Sequence, residues 1–449
     1  MGDTASTETL DRAIADASAR VPTSAPIAES KGKVRTIIAG SIGNAIEYFD
    51  WYVYSAFSLY FAPVFFPNGS PTAQLLSAAA IFAVGFLMRP IGSWILGRYA
   101  DRHGRKAALL ISVLAMCCGS LMIGLLPGYD SIGLAAPLLL VLARLMQGLS
   151  LGGEYASSAT YLSETASPRN RGYYSSFLFA TLSMGQLLAL GCLVVLQLVL
   201  TSKQLHDWGW RIPFLFGAGL ALMAIWLRGT MQETQQFTKA SPQVRKHANI
   251  RELLRHWPAC LKVAGLTIGG TVSFYAFTTY LQKFLVNTVG FAKSDATLVC
   301  TLGLALFVLA QPVFGALSDR VGRRPLLMAF GALGAASCVP LFNWLLTVSS
   351  PAQAVLPMLA ALLIVSLYSS VSAVAKAELF PVEIRALGVG LPYSLTVSLF
   401  GGTAEYVALW LKDIGHESWF FWYVAFCCLL TLVSVTIMKD TKAYSRIED

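Results

Sequence analysis

The sequence predicts an all-α polytopic membrane protein with twelve transmembrane helices, arranged as two pseudo-symmetric six-helix bundles. Three observations predict this fold class: a composition too apolar for a soluble surface, twelve long apolar stretches, and a charged motif that occurs twice. Helices are expected because a helix satisfies its backbone hydrogen bonds within one segment. The ten-residue alternating segments of membrane strands are absent from the sequence.

The composition excludes most soluble classes of protein. Of 449 residues, 55% are hydrophobic and only 13% are charged, with a mean hydropathy of +0.61. Soluble domains carry roughly 25% charged residues. The net charge of +9 lies mostly in short loops, where membrane topology explains it better than nucleic-acid binding does. The eight cysteines show no metal-ligand spacing, so no metal site is predicted.

Apolar stretches of about twenty residues, long enough to cross a bilayer as helices, occur twelve times. We place these spans at 36–64, 74–96, 107–127, 134–163, 173–200, 211–230, 259–287, 294–315, 326–347, 354–378, 387–411 and 418–438. Lysine and arginine concentrate in alternate loops and at both termini. The positive-inside rule therefore predicts a multi-pass protein with both termini in the cytoplasm.

Polar segments divide the chain into five parts. Residues 1–35 are polar and rich in alanine and serine, so we expect a disordered cytoplasmic tail rather than a secretory signal. Residues 36–230 and 259–438 form the two bundles, and 439–449 form a second cytoplasmic tail. The basic segment 231–258 is the cytoplasmic central loop, with a short surface helix expected around Ile250–His256.

A charged motif is repeated between the halves. GRYADRHGRK follows the second span at Gly97–Lys106, and GALSDRVGRR follows the eighth at Gly315–Arg324. A second pair, ETASPRNRG and ELFPVEIRALG, follows the fourth and tenth spans. Two motif pairs at nearly the same offset indicate a duplication with parallel halves.

These motifs resemble the signature of the major facilitator superfamily. Further stretches resemble its metabolite:proton symporter branch, including GNAIEYFDWYVY, ARLMQGLSLGGEYASSATYLSE and WGWRIPFLFG. The resemblance runs from about Gly40 to Tyr423. It implies a transporter that moves a small metabolite together with a proton. Within the branch, FTTYLQKFLVNT, AKAELFPVEIRALGVGL and GGTAEYVALWLK favour α-ketoglutarate as the substrate.

The repeated motif is predicted to form a gate. Gly97 allows a neighbouring helix to approach closely, and Asp101 suits the positive end of a helix dipole. The resemblance implies that this helix is the start of the eleventh span, near Leu387, so that the contact closes the cytoplasmic side. The basic residues of the motif are then expected to pair with Glu164. The predicted gate residues are Gly97, Asp101, Arg102, Arg105, Asp319 and Arg323.

Five charged residues lie within spans of the first half, where charge is costly and indicates function. Arg89 or Arg144 is expected to bind substrate carboxylates, because a guanidinium binds a carboxylate with two hydrogen bonds. Glu47, Asp50 or Glu154 is expected to carry the coupled proton. Helical spacing puts two polar stripes on the lumen: Asn44, Glu47, Tyr48, Trp51 and Ser55; and Arg144, Gln147, Leu151, Glu154 and Ser158. The alternative is structural locking, by Arg89 with Glu47 or by Arg144 with Asp50.

The second half offers further candidates for the substrate site. Tyr275 and Gln282 of the seventh span are predicted to bind substrate. Lys376 of the tenth span either meets the second carboxylate of a diacid or extends to the membrane surface. Lys283 is expected at the membrane interface, and Glu405 is expected to be structural or related to a gate.

The predicted function is proton-coupled uptake of a small di- or tricarboxylate by alternating access, in a protein that is a monomer and not an enzyme. No GxxxxGK[ST] phosphate loop occurs, so a proton gradient replaces ATP and no cofactor is expected. A second hypothesis keeps the fold and changes the substrate to citrate, shikimate, proline or betaine. A third hypothesis, of a different functional class, is a channel or a membrane sensor that does not transport.

Overall fold

Twelve long helices run through the part of the chain that the structure describes. The computed structural model covers residues 27–103, 105–229, 250–382 and 384–447, with side chains from residue 44 except at 97, 100–106, 108–109, 165, 223–229 and 250–251. The helices are α1 (Ile27–Phe65), α2 (Pro71–His103), α3 (Arg105–Leu125), α4 (Ala135–Leu151 continued by Glu154–Thr165), α5 (Arg171–Val199), α6 (Ile212–Gly229), α7 (Trp257–Val289), α8 (Lys293–Val321), α9 (Arg323–Thr347), α10 (Pro351–Ala377), α11 (Arg385–Thr396, Val397–Gly401 and Ala404–Asp413) and α12 (Ser418–Ile437). The predicted all-α fold is confirmed.

Several helix ends differ from the predicted spans. α1 begins at Ile27, nine residues before the predicted first span, and residues 1–26 lie outside the described part. The central loop 230–249 also lies outside it. The expected surface helix next to that loop is present at Ile250–Arg255.

The helices pack as two halves that meet along the centre. Within the first half, α4 packs against α2 and α3, and α6 packs against α3. In the second half, α8 packs against α10, while α12 packs against α7 and α9. The halves meet where α5 lies along α8, where α2 contacts α11, and where α4 contacts α10 and α11. This arrangement leaves a central region lined by both halves.

The outer surface of the bundle is apolar. Eight of the helices within the described residues are long and apolar enough to cross a membrane: α2, α4, α5, α7, α8, α9, α10 and α12. Large apolar side chains such as Leu198, Leu309 and Trp422 are exposed on this surface, while many charged side chains are buried. A soluble protein would avoid so large an exposed apolar surface, and a bilayer favours it.

The repeated motif lies mostly on helices rather than in loops. α2 continues to His103 and α8 to Val321, because the polar residues of the motif extend each helix beyond its apolar part. In the second copy the turn consists of Gly322 alone, with a φ of 99° that favours glycine. Gly104, its counterpart, lies outside the described residues.

Helices α7 and α11 are interrupted by π-helical segments. α7 contains two, at Ala276–Tyr280 and Leu285–Val289, and α11 contains one at Val397–Gly401. A π segment inserts one extra residue, which rotates all later side chains by about 100° relative to a regular α-helix. Such segments are frequent at functional sites, and these three lie on helices that line the centre of the bundle.

Small residues allow α2 and α4 to approach closely. A Cβ added to Gly148 of α4 would overlap the carbonyl oxygen of Gly85 in α2, and Gly92 and Gly152 make similar contacts nearby. We expect Gly148→Ala to cost about 1–3 kcal/mol of stability, because the two backbones must separate. Thermal unfolding of the purified protein in detergent measures this. Gly191→Ala in α5, where the added Cβ meets nothing within 4 Å, is the control and should unfold no earlier than the wild type.

Candidate substrate site and gates

Two arginines of the first half meet at the ring of Trp51. Arg144 of α4 places Cζ 3.9 Å from the ring centroid, and Arg89 of α2 places Cζ 4.5 Å from it. Arg144 is fully buried and Arg89 is nearly so. Phe82 and Phe86 lie over the two guanidinium groups as well. Aromatic faces therefore hold two positive charges close together, away from water.

Both guanidinium groups retain unused donors. Arg144 donates from Nη1 to Oε1 of Gln147 at 2.7 Å, and Gln147 donates from Nε2 to Oγ of Ser120 at 2.8 Å. Nε and Nη2 of Arg144 and of Arg89 are buried without an acceptor among the described residues. These two nitrogens form the edge of a guanidinium that binds a carboxylate with parallel hydrogen bonds. The pair is arranged as a receptor for an anion.

Two of the three predicted acids, Glu47 and Glu154, lie in the same region of the first half as Arg89. All three charged groups lie within electrostatic range of the phenol of Tyr48. Glu47 and Glu154 both interact with neighbouring residues. Their role in carrying the coupled proton stays a prediction.

The third acid, Asp50, faces another way. It is fully buried, and its carboxylate packs on Gly217 of α6, where a Cβ would overlap it. Neither carboxylate oxygen accepts a hydrogen bond from a described residue, so a locked pair of Arg144 with Asp50 is wrong. The reason is helix geometry: Asp50 directly precedes Trp51, and one residue turns a helix by about 100°.

Lys376 lies in a cage of tyrosines in α4, α10 and α11. It is fully buried, so extension of its side chain to the membrane surface is wrong. Its Nζ donates to Oγ of Ser372 at 2.7 Å, to the hydroxyl of Tyr368 at 3.2 Å and to that of Tyr155 at 3.4 Å, and it lies 4.4 Å from the centre of the Tyr393 ring. These three acceptors are hydroxyl groups and not carboxylates. Lys376 is a second buried cation that can receive an anion.

Sequence reasoning did not assign these tyrosines to the site. Tyr155, Tyr368 and Tyr393 were not among the predicted site residues, because a tyrosine in an apolar stretch carries no signal of its neighbours. A small cavity of about 10 Å³, room for about one water molecule, lies beside the cage. It is lined by Phe179 of α5 and by Tyr275, Tyr368 and Tyr393. Tyr275 thus lines this cavity, and its role in binding substrate stays a prediction.

The other predicted residue of α7, Gln282, does not face the cavity. It donates from Nε2 to Oγ1 of Thr297 in α8 at 3.0 Å. Its neighbour Lys283 turns inward instead and is 1% exposed, so the expected interfacial position is wrong. The π segment Ala276–Tyr280 explains both differences, because its extra residue rotates everything after it.

Lys283 forms a buried ion pair within the second half, and Ser55 of the first half contacts both of its members. Its Nζ lies 3.3 Å from Oε1 of Glu405 in α11. The same Nζ donates to the backbone oxygen and to Oγ of Ser55 in α1, at 2.7 and 2.6 Å. Ser55 in turn donates to Oε2 of Glu405 at 3.1 Å. One cation, one anion and one hydroxyl thus connect α1 to α7 and α11.

The end of the bundle that carries the two copies of the motif, here named the motif end, is closed by Asp319. Its carboxylate accepts hydrogen bonds at 2.8 Å from the backbone N–H groups of Gly172 and Tyr173, at the start of α5. Arg323 pairs with Asp319 at 3.0 Å and with Glu378 at 3.4 Å. An acid of one half therefore caps a helix of the other half.

This contact is the symmetric counterpart of the one predicted for Asp101 and α11. The side chains of Gly97, Asp101, Arg102 and Arg105 lie outside the described residues, so the first copy of the gate stays a prediction. Glu164, the predicted partner of the basic residues in that copy, pairs with Arg385 of α11 at 2.5 Å. This second contact between halves also closes the motif end.

Residues Lys439–Ile447 fold back over the motif end. Lys442 donates from Nζ to the backbone oxygen of Asp319 at 2.6 Å. The N–H of Arg446 donates to the backbone oxygen of Glu378 at 3.0 Å, and its backbone oxygen accepts from Arg385 at 2.9 Å. The segment therefore packs on the same residues that hold the gate closed.

The opposite end is closed by further contacts around His206. Lys293 of α8 donates from Nζ to the backbone oxygen of Leu59 at 2.8 Å and to Nε2 of His206 at 3.0 Å. His206 lies in the connection before α6, where burial and the adjacent ammonium group lower the pKa of its imidazole. A neutral ring accepts this hydrogen bond, and Nδ1 donates to the backbone oxygen of Tyr60 at 3.1 Å.

The twelve-helix bundle, the central site with charged residues from both halves, and the contacts that close each end define a membrane-embedded transporter. The comparisons with known proteins agree. Residues 36–249 match the family described as "Sugar (and other) transporter", and residues 263–448 match "Major Facilitator Superfamily". The chain belongs to the major facilitator superfamily and is a transporter, not an enzyme.

Curated relatives match nearly the whole chain. The α-ketoglutarate permease of Escherichia coli K12 is 51% identical over 92% of this chain and 96% of its own length. A citrate-proton symporter of Klebsiella pneumoniae is 34% identical over 89% of this chain and 90% of its own. The E. coli K12 proline/betaine transporter is 30% identical, over 91% of this chain and 84% of its own.

Solved structures support the fold. A crystal structure of a D-xylose-proton symporter superposes with a TM-score of 0.73 at 20% identity, covering 91% of this chain and 99% of the other. The xylose transporter of E. coli in a partially occluded inward-open conformation gives 0.68 at 20% identity, covering 90% and 98%. These likenesses concern the architecture alone.

Proposed function

We propose that this protein imports a small di- or tricarboxylate by proton-coupled symport, with α-ketoglutarate as its first substrate. The observation that carries the proposal is the pair of buried guanidinium groups, Arg144 and Arg89, whose Nε and Nη2 donors lack acceptors among the described residues. Buried donors without partners are rare, and a substrate carboxylate supplies the missing acceptors. The 51% identity to an α-ketoglutarate permease supports the choice of substrate.

Lys376 supports a substrate with two carboxylates. The arginine pair belongs to helices of the first half, whereas Lys376 belongs to a helix of the second. A diacid bridges the halves when one carboxylate meets the guanidinium groups and the other meets the ammonium group. A zwitterion such as betaine also carries a positive charge, which would lie close to the guanidinium groups or to the ammonium group and be repelled by it.

The transport cycle we propose is alternating access around this central site. The motif end faces the cytoplasm and the opposite end faces the periplasm of a bacterial inner membrane, with both termini cytoplasmic, in accord with the distribution of lysine and arginine. One of the relatives is named an inner membrane metabolite transport protein. The proton gradient is the energy source, no cofactor takes part, and a monomer is the working unit. Glu47, Asp50 and Glu154 remain the predicted candidates for the coupled proton.

Uptake by purified protein in proteoliposomes tests the proposal. Labelled α-ketoglutarate should accumulate inside when the outside is made acidic, and an ionophore that abolishes the pH gradient should stop the accumulation. Unlabelled citrate, shikimate and betaine are added separately as competitors. Stronger competition by citrate or shikimate would identify that compound, and not α-ketoglutarate, as the preferred substrate. Binding without accumulation would favour a sensor. Uptake that never exceeds equilibrium would indicate a channel.

We expect Lys376→Gln to lose the second carboxylate contact specifically. The KM for α-ketoglutarate should rise by roughly tenfold or more, as expected when one hydrogen-bonded charge is removed. Competition by a monocarboxylate, which uses the arginine pair alone, should be unchanged. Lys262→Gln, a partly buried lysine of α7, is the control. An equal loss for mono- and dicarboxylates would show that Lys376 supports the fold and not the substrate.

A further inference from the structure

The buried ion pair of Lys283 and Glu405 has properties that the substrate site does not use. Both side chains are at most 5% exposed, and both contact Ser55 of the other half. Lys283 lies six residues before the end of α7, which is about 9 Å of helix from the opposite end. Glu405 lies eight residues before the end of α11, about 12 Å. The pair therefore lies between the substrate site and the opposite face.

Three acids of the described chain join the halves through their carboxylates. Glu164 and Asp319 do so at the motif end, and Glu405 does so at the opposite end. Glu47 and Glu154 lie within electrostatic range of Tyr48 in the first half, and Asp50 packs on Gly217 of that half. Protonation of Glu405 changes a contact between halves directly.

We propose that Glu405 is the carboxylate that takes up the coupled proton from the opposite face, and that its protonation opens that end of the transporter. The inference rests on the proton-coupled transport proposed above. One proton moves from water to a carboxylate oxygen of Glu405. The neutral acid no longer attracts the ammonium group of Lys283, which keeps its own protons and becomes hydrated as α1 separates from α7 and α11.

The surroundings of the pair support this role. Tyr54 of α1 and Tyr280 of α7 lie within electrostatic range of Glu405, and Cys300 of α8 lies within that range of Lys283. None of these three groups is a cation, and the ion pair described for Glu405 is the one with Lys283. Breaking a buried ion pair by removing one charge is strongly unfavourable unless the other charge reaches water. Opening of this end provides that water.

The pair is also connected to the substrate site. Tyr54 acts on Glu405, and its ring lies 4.4 Å from Cζ of Arg144. Closure of the opposite end restores the ion pair, and the proton then leaves Glu405 toward the side of the substrate site, where Glu47 and Glu154 lie. One opening and closing therefore carries one proton inward. A substrate anion at Arg144 favours this direction because it supplies negative charge on that side.

Glu405→Gln tests the proposal, because glutamine has the shape of the protonated acid and cannot release a proton. Exchange of labelled for unlabelled α-ketoglutarate at equal pH on both sides should persist. Accumulation driven by a pH gradient, and proton entry that accompanies substrate entry, should be lost. Glu417→Gln is the matched control: Glu417 pairs with Lys412 at 3.3 Å at the same end, within one half, and should keep both activities.

A second variant guards against a folding defect. Lys283→Gln combined with Glu405→Gln removes both buried charges, so no unpaired charge is left in the bundle. It too should exchange without accumulating. Accumulation in either folded variant would overturn the role of Glu405. If the wild type itself fails to accumulate substrate, the proposed symport is wrong instead, and wild-type exchange distinguishes the two failures.

Discussion

Arg144→Lys is expected to lower uptake by about 100-fold, corresponding to about 3 kcal/mol of lost interaction with the substrate. Lysine keeps the charge but has no fork of donors and cannot stack flat on Trp51. The substitution therefore tests whether substrate binding needs the planar donor arrangement of arginine or only its positive charge. Initial rates of uptake into proteoliposomes, together with substrate-induced thermal stabilisation of the purified protein, measure the effect on transport and on binding.

The control for this substitution lies in the same half. Arg211 stacks on Trp210 at 4.2 Å and donates to the backbone oxygens of Asp207 and Leu126, away from the central site. Arg211→Lys changes the same chemistry without changing the substrate site, and should transport within about twofold of the wild type. Normal uptake by Arg144→Lys would remove Arg144 from the substrate site and leave Arg89 as the carboxylate receptor.

The sequence was sufficient to predict features that depend on neighbours along the chain. Apolar length predicted the spans, and repetition of the charged motif predicted the two halves. Charge within an apolar span singled out Arg89 and Arg144, because a buried charge is costly wherever its span packs. The capping geometry expected for the motif is present in the second copy, at Asp319.

Features that depend on register between distant helices were not predictable. Gln282 and Lys283 do not take their expected positions because a π segment before them rotates the rest of α7, and the amino-acid pattern carries no clear sign of that extra residue. The contact of Lys283 with Glu405 joins residues 122 positions apart, since 405 minus 283 is 122. The tyrosine cage of Lys376 likewise depends on the packing of α4, α10 and α11.

Asp319→Asn is expected to open the motif end. The carboxylate accepts two backbone hydrogen bonds at the start of α5, each at 2.8 Å, and pairs with Arg323. Hydrogen bonds to a charged group contribute about 1.5–3 kcal/mol each, so loss of the charge weakens the closed state far more than a surface change does. Labelling of cysteines introduced on the motif face, with a water-soluble reagent, should become faster. Net uptake should fall by roughly tenfold, because the closed motif end is populated less.

Asp295→Asn makes the same chemical change on the same helix, in the first turn of α8 at the opposite end. It should alter neither labelling nor uptake. Asp101→Asn tests the first copy of the motif, and the duplication predicts the same phenotype, since Asp101 and Asp319 occupy equivalent positions. If Asp319→Asn transports normally and labelling is unchanged, the two charge-assisted hydrogen bonds are not what holds the motif end closed. Arg385 with Glu164 would then be the contact that closes it.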